Sequence, residues 1–389
     1  MKYTWKVLLL ATLLCFFACD ESSNNDKGGD SSTLKIGAVL PLTGDLAGFG
    51  PVVKNSLDVA VDEINANGGL LGKQIEVVIQ DSKTSGDVAP TAAQKLIDDG
   101  VQAIIGAAAS GVTSTVIPIA KANKVVLVSP SSTNPLLTND SKNPDDGYFF
   151  RTAPSDKLQA EKMVAKTSKD GQTTAAVLYI DNSYGLALAE AFRDKFKETN
   201  GTDAVLNFVS YPDPDVQSKS DYTEEVTSAF ANSPQVVALI GYGISASTIM
   251  KNWDSGNFGG KWIFTDGVKD QPFIDNSGSS IVNGMIGTAP SHHVHANYDK
   301  FVAAYTAKAG SAPGVFAEFA YDALMVLAEA IKLAGEYNGE KIKAKMIEAS
   351  TNYTGASGKI NFDSNGDITD STYEIWKIEN GKFVFVETI

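Results

Sequence analysis

The stretch LKIGAVLPLTGDLAGFGPVVKNSLDVAVDEINANGG, residues 34–69, reads as strand, loop and helix in that order. Leu34–Leu40 is a short apolar run suited to a strand buried on both faces. Val53, Leu57, Ala60, Val61 and Ile64 recur at helical spacing, and Asn67-Gly68-Gly69 stops the helix. The alternation continues outward, with strands expected at Ile75–Ile79, Val101–Gly106 and Val125–Val128 and helices over Val88–Ile97 and Ser110–Asn123. A connection rich in Ser, Asn, Pro and Asp follows (131–147), and the alternation restarts. Strands Ala175–Ile180, Ala204–Val209, Val236–Ile240 and Trp262–Thr265 are separated by helices Leu186–Phe196, Tyr222–Ala231 and Ala246–Trp253. Three helices near Tyr298–Lys308, Val315–Leu333 and Lys341–Ala349 precede a hairpin through Asn380-Gly381. Strands separated by helices imply parallel sheets, so the expected class is α/β, two doubly wound, Rossmann-like lobes.

At about 150 residues per domain, 389 residues suggest two or three domains. Hydrophobic residues at 43% and charged residues at 20% describe a globular chain, and a net charge of −14 disfavours nucleic acid as a partner. Lys2 and Lys6 introduce Val7–Ala18, an apolar run too short to span a bilayer, so residues 1–18 read as a secretory signal. Both cysteines, Cys15 and Cys19, lie here, and Phe16-Phe17-Ala18-Cys19 is similar to a bacterial lipobox. Lipidation of Cys19 is expected, with a plain signal peptide and an incidental Cys as the alternative. Residues 19–33 are polar and Gly/Ser/Asn-rich, as a flexible tether to the membrane would be. The expected setting is extracytoplasmic, the periplasm or the cell surface.

Catalytic patterns are poor. The histidines are His292, His293 and His295, in one run, and no G-x-S-x-G is present. His293 and His295 lack an evident third metal ligand, and a polar loop accounts for them. Gly44, Gly48 and Gly50 do not have phosphate-loop spacing. Asp363, Asn365 and Asp367 mimic the start of a calcium loop but lack its later ligands, so a turn is expected. No enzyme, metal or cofactor is therefore expected. A cleft at the carboxyl ends of the strands remains. Ser110 opens a helix there, where a hydroxyl and free amides suit a carboxylate, or it is an ordinary cap. Ser131, Ser132 and Thr133 follow the next strand. Asp266 ends Trp262–Thr265, to meet a cation or to make an Asp-Gly turn. Arg151 is either a counter-ion for an acidic ligand or part of a salt bridge between the lobes.

These segments carry a family resemblance, through IGAVLPLTGDLAGFG (36–50), AVDEINANGGLLG (60–72), 105–115, VSPSSTNPLLT (128–138), YFFRTAPS (148–155), DNSYG (181–185) and AYDAL (320–324). Over essentially all of residues 34–389 the chain resembles the leucine/isoleucine/valine-binding proteins of bacterial ABC importers, of the type I periplasmic binding fold. The resemblance implies a first lobe of 34–152 and 286–370, a second of 153–285 and 371–389, and a three-strand hinge. It also implies that Ser110 and Thr133 hold a ligand carboxylate, and that the Ser131 carbonyl and Asp266 take its ammonium. Tyr184 and Tyr242 would close over the ligand, or pack within their own lobe. Phe49 and Phe316 would line the side-chain pocket with Ala108, Ala109 and Ser132, or serve the core. Ala109 stands where a Cys is familiar, Ser132 where Ala is, and Asp266 where a longer Glu is. The ligand implied is an amino acid or a similar small acid. The function expected is an extracytoplasmic, monomeric, substrate-binding lipoprotein that captures a branched-chain or other neutral amino acid by hinge closure for an ABC permease. A receptor subunit for a membrane sensor, or a receptor for small aromatic or aliphatic carboxylic acids, is the alternative.

Overall fold

The apolar runs assemble into two sheets in the computed structural model, which describes residues 1, 33–138, 147–291, 295–369 and 371–389. β1 (Thr33–Leu40), β2 (Gln74–Asp81), β3 (Ala103–Gly106), β4 (Val126–Ser129) and β5 (Phe149–Arg151) pair in parallel in the order β2-β1-β3-β4-β5. α1 (Phe49–Ala66), α2 (Ala89–Asp98) and α3 (Ser110–Ala122) connect the first four strands. Every residue of β3 and β4 is buried, as a strand covered on both faces requires.

The second lobe opens with α4 (Asp156–Lys169), then β6 (Ala175–Asp181), α5 (Ser183–Asn200), β7 (Val205–Pro212), α6 (Thr223–Phe230) and β8 (Val236–Ile240). α7 (Gly243–Ser255), β9 (Lys261–Phe264), α8 (Gln271–Ser277), α9 (Ser279–Val282) and β10 (Ile286–Ser291) complete this run. α10 (Ala296–Ala309), α11 (Ala317–Ala334), α12 (Gly339–Lys343) and α13 (Met346–Ser350) return to the first lobe, where α10 and α11 pack on α1. A two-strand ribbon, β11 (Tyr353–Thr354) and β12 (Lys359–Ile360), precedes β13 (Thr372–Glu379) and β14 (Lys382–Thr388). The second sheet runs β14-β13-β10-β9-β8-β6-β7, antiparallel where β13 meets β10 and β14.

Two boundaries differ from expectation. Residues 286–291 were assigned to the first lobe, yet β10 lies between β9 and β13 in the second sheet, so the return comes only after Ser291. Thr33, assigned to the tether, already pairs with Gln74 in β1. The helix expected at Lys341–Ala349 is two short ones, because the Lys345 amide bonds back to Ile342 and tightens the turn between them. The signal and tether from Lys2 to Ser32, with the expected lipidation at Cys19, lie outside the described residues, as do His292 and His293. No helix among the described residues is long and apolar enough to cross a membrane. One apolar cluster fills the first lobe beneath α1, α10 and α11. The other runs from α2 and α3 through Phe49, Phe316, Tyr184 and Tyr242 into the second lobe as far as Trp376.

Candidate functional site

That second cluster closes around a cavity of about 10 Å³, room for about one water. Leu46, Phe49, Ala108, Ala109, Ser110 and Ser131 line it from one lobe, Tyr184, Tyr242, Asp266 and Gly267 from the other, with Phe316 just before α11. Ser110 starts α3, and its Oγ accepts from the Asn134 amide at 3.2 Å, which leaves its own proton for a ligand. The first amides of α3 have no acceptor within the helix, so this end of the cavity favours an anion.

Phe49 and Phe316 make an apolar wall, with ring centroids 6.0 Å apart. Phe316 holds a φ of 64°, a strained conformation for a bulky residue that surrounding packing must maintain. Facing them, Tyr184 and Tyr242 stack with centroids 5.4 Å apart. The Tyr184 hydroxyl bonds Asp266 Oδ1 at 3.0 Å and Thr265 Oγ1 at 2.9 Å. Gly267 must be glycine, because a Cβ there would stand 2.4 Å from the Gly241 carbonyl oxygen.

Beside Asp266 lies a second group of polar atoms. Thr133 Oγ1, both carboxylate oxygens of Asp156, Gln159 Oε1 and the Tyr373 hydroxyl are buried with no hydrogen-bond partner among the described residues. Asp156 and Gln159 sit in the first turns of α4, where the Asp156 amide bonds the Thr133 carbonyl at 3.0 Å. Burial, and then the charge of Asp266, push the Asp156 carboxyl up to about 8, against the Thr133 hydroxyl and the Arg151 guanidinium. Burial raises Asp266 too, while hydrogen bonds from Gln159 and Tyr184 favour its charged form. Asp266 thus closes a hydrogen bond with Tyr184, whereas neither oxygen of Asp156 closes one among the described residues. Buried carboxylates with open lone pairs are costly unless a cation satisfies them, so this end of the site suits an ammonium group.

The expected residues therefore converge, with two displacements. Thr133 is off the cavity wall and belongs to the polar group around Asp156. Ser132, expected in the side-chain pocket, is a correction: it is fully buried, and its hydroxyl is held by the Ala107 and Ala108 carbonyls at 2.9 and 3.1 Å. Arg151 is sealed in a salt bridge to Asp367, at 2.5 and 3.0 Å, within the first lobe and not between the lobes. Asp363 caps the amides of Asn365 and Asp367, forming the expected turn. His295 accepts from the Asn297 amide at 3.3 Å as the cap of α10. Asp156, Leu46 and Gly267 escaped the sequence reading. Leu46 sits in the quoted Gly-rich loop, whereas Asp156 had no signal beyond a Ser-Asp helix start.

Two clasps join the lobes around the cavity. Asp45, in the loop after β1, accepts from the Ser245 amide at 2.8 Å and from its hydroxyl at 2.7 Å. Its own amide donates to Asp215 Oδ2 at 3.0 Å. On the other side, Asn134 Nδ2 donates to the Ser183 carbonyl at 2.6 Å and to its Oγ at 2.8 Å.

Comparison with known proteins accords with this geometry. The profile of the family described as periplasmic binding protein matches residues 33–382. The Leu/Ile/Val-binding protein BraC3 of Rhizobium johnstonii is 28% identical over 357 residues, 91% of this chain and 94% of that protein. The crystal structure of a leucine-binding protein, LivK, from Thermotoga maritima is 29% identical, with a TM-score of 0.82 over 92% of this chain and 98% of that one. The branched-chain amino acid transporter substrate-binding protein LivJ of Streptococcus pneumoniae, solved with isoleucine, is 26% identical, with a TM-score of 0.81 over 92% and 99% of the two chains.

Proposed function

Since the chain belongs to the periplasmic binding protein family, we propose that it is the receptor of an ABC importer and captures a neutral, aliphatic amino acid between its lobes. The observation that carries the reading is Asp266, on the wall of the same cavity as the free start of α3, with the unpartnered carboxyl of Asp156 beside it. One end takes the α-carboxylate through Ser110 and the helix amides. The other takes the α-ammonium between Asp156 and Asp266, with Thr133 assisting. Phe49, Phe316, Leu46, Ala108 and Ala109 then surround an uncharged side chain, and Tyr184 and Tyr242 cover it. The relatives that bind leucine, isoleucine and valine support this ligand class. An acid lacking an ammonium would leave the open oxygens of Asp156 without a donor, which weighs against the aromatic and aliphatic acids. The cycle is hinge closure: ligand contacts both lobes only in the closed form, and a membrane permease reads that form. No bond is made or broken. The lipid at Cys19 would keep the receptor at the extracytoplasmic membrane surface, as a monomer.

Thermal unfolding of the ligand-stripped protein against the twenty amino acids and a set of small carboxylic acids tests this. A ligand at 100 times its Kd adds roughly 2.7 kcal/mol, seen as a rise in Tm. The expected result is a rise with leucine, isoleucine or valine that Asp156→Asn and Asp266→Asn abolish. A rise confined to acids without an amine would overturn the assignment of both aspartates.

A further inference from the structure

The Ala107 carbonyl lies within hydrogen-bond distance of three side-chain hydroxyls: Thr113 Oγ1 at 2.7 Å, Ser129 Oγ at 2.8 Å and Ser132 Oγ at 2.9 Å. Thr113 and Ser132 are themselves 2.7 Å apart, and Ser131 Oγ donates to the Ala108 carbonyl at 3.1 Å. Thr113, Ser129 and Ser132 are all fully buried. Proton counting orders the group. Ser129 Oγ accepts from the Ser132 amide at 3.1 Å and spends its single proton on the Ala107 carbonyl. Thr113 fills the second lone pair of that oxygen, which leaves the Ser132 proton for Thr113 Oγ1 or for the Ala108 carbonyl at 3.1 Å.

This lattice lies on the protein side of the 107–110 loop, whereas Ala108, Ala109 and Ser110 line the cavity on the other. In a trans peptide the C=O and N–H point in opposite directions. Holding the Ala107 and Ala108 carbonyls back into the lobe therefore turns the Ala108 and Ala109 amides away from the lattice, toward the cavity. Neither amide closes a hydrogen bond to another backbone group among the described residues. Hydroxyls on the β4 loop and on α3 thus set the direction of amides on the β3 loop.

We propose that Thr113, Ser129 and Ser132 are positioning residues for anion binding, a lattice of hydroxyls that aims the amides of Ala108 and Ala109, with the start of α3, at the ligand carboxylate. This deepens the amino-acid reading and rests on it. The lattice makes no ligand contact, and its effect is confined to the carboxylate end of the site.

The test uses L-leucine with the wild type, Thr113→Val, Ser132→Ala, their double variant and the conservative Thr113→Ser. Titration gives Kd, and hydrogen–deuterium exchange at saturating leucine reads the protection of residues 107–111 against that of 156–160. Thr113→Val and the double variant should bind leucine about tenfold more weakly, the worth of one well-placed hydrogen bond. They should lose ligand protection at 107–111 while keeping it at 156–160, and Thr113→Ser should restore both measurements. Unchanged Kd and protection in folded variants would overturn the proposal, as would an equal loss of protection at both ends. Should the double variant fail to fold, Thr113→Val alone carries the comparison. Failure of the wild type to bind leucine strikes the amino-acid reading instead, a result distinct from wild-type binding with unaffected variants.

Discussion

Asp156 holds a carboxyl group in the first turn of α4, out of water and beside a second carboxylate. With its pKa near 8 in the folded protein and 3.8 as the ordinary value, the folded state keeps a proton that the unfolded chain has released over the interval between. Its contribution to stability is fully present below about pH 4 and is lost as pH rises through about 8. Asp45 and Asp270, each raised by burial to about 7, act in the same direction. The ligand-free Tm should therefore fall between mildly acidic and mildly alkaline pH. Asp156→Asn should flatten the upper part of that fall, and so should a saturating amino acid, whose ammonium stabilises the charged carboxylate. A melting profile of the variant as steep as that of the wild type would remove Asp156 from this role. Ser110, Ser131 and Asp266 were legible in the sequence because each lies within a few residues of the end of a strand, where a ligand site of this architecture lies. Asp156 was not, because its significance comes from partners it lacks, and those depend on Thr133, Tyr373 and Asp266 arriving from distant segments.

Among the elements, α4, β5 and β10 were not revealed by the apolar pattern, and neither were the short α8, α9, β11 and β12. The buried stripe of α4 is Asp156, Gln159, Ala160, Met163, Val164 and Thr167, so three of its six positions are polar. β5 has three residues, too few to show a period. β10 contains Pro290, which argues against a central strand; it is tolerated because β9 pairs only with Ile286 and Gly287, leaving no ladder bond for Pro290 to break on that side. The closing hairpin was the opposite case, since Asn380-Gly381 is a strong two-residue turn signal. Asn380 and Gly381 hold φ values of 52° and 73°, joining β13 to β14. Gly381→Ala forces a side chain into the left-handed region and should cost roughly 1 kcal/mol, lowering Tm by about 1–3 °C. Ligand affinity should not move, as the turn is remote from the cavity. A loss of affinity in that variant would show that the hairpin acts on the site.

At the scale of the molecule, the two lobes are joined across the cleft by contacts that involve no ligand. Asp45 reaches the start of α7 and Asn134 reaches the start of α5, so each clasp sets a side chain of one lobe against a helix N-terminus of the other. Under the proposed hinge closure, contacts of this kind form on closing and shift the open–closed equilibrium toward the closed form. Asp45→Ala removes two hydrogen bonds from Ser245, each worth about 0.5–1.5 kcal/mol. The expected outcome is a larger radius of gyration for the ligand-free variant in small-angle scattering, with ligand affinity reduced by up to about 5- to 150-fold. Scattering identical to the wild type, with unchanged affinity, would show that Asp45 does not hold the lobes together.

The sequence by itself determined the alternation of strands and helices, the two-lobed α/β class, the closing hairpin, and the polar residues that end particular strands. Those signals are local: a period of apolar residues or a turn dipeptide is complete within a few to about eighteen residues. Only the tertiary structure decided that β10 joins the second sheet, that Ser132 turns away from the cavity, that Asp156 stands unpartnered beside Asp266, and that Asp45 clasps Ser245. Each of these depends on groups that are far apart along the chain and meet only when the lobes form and close. Burial and hydrogen-bond partners are properties of that assembled environment, and no local pattern of residues contains them.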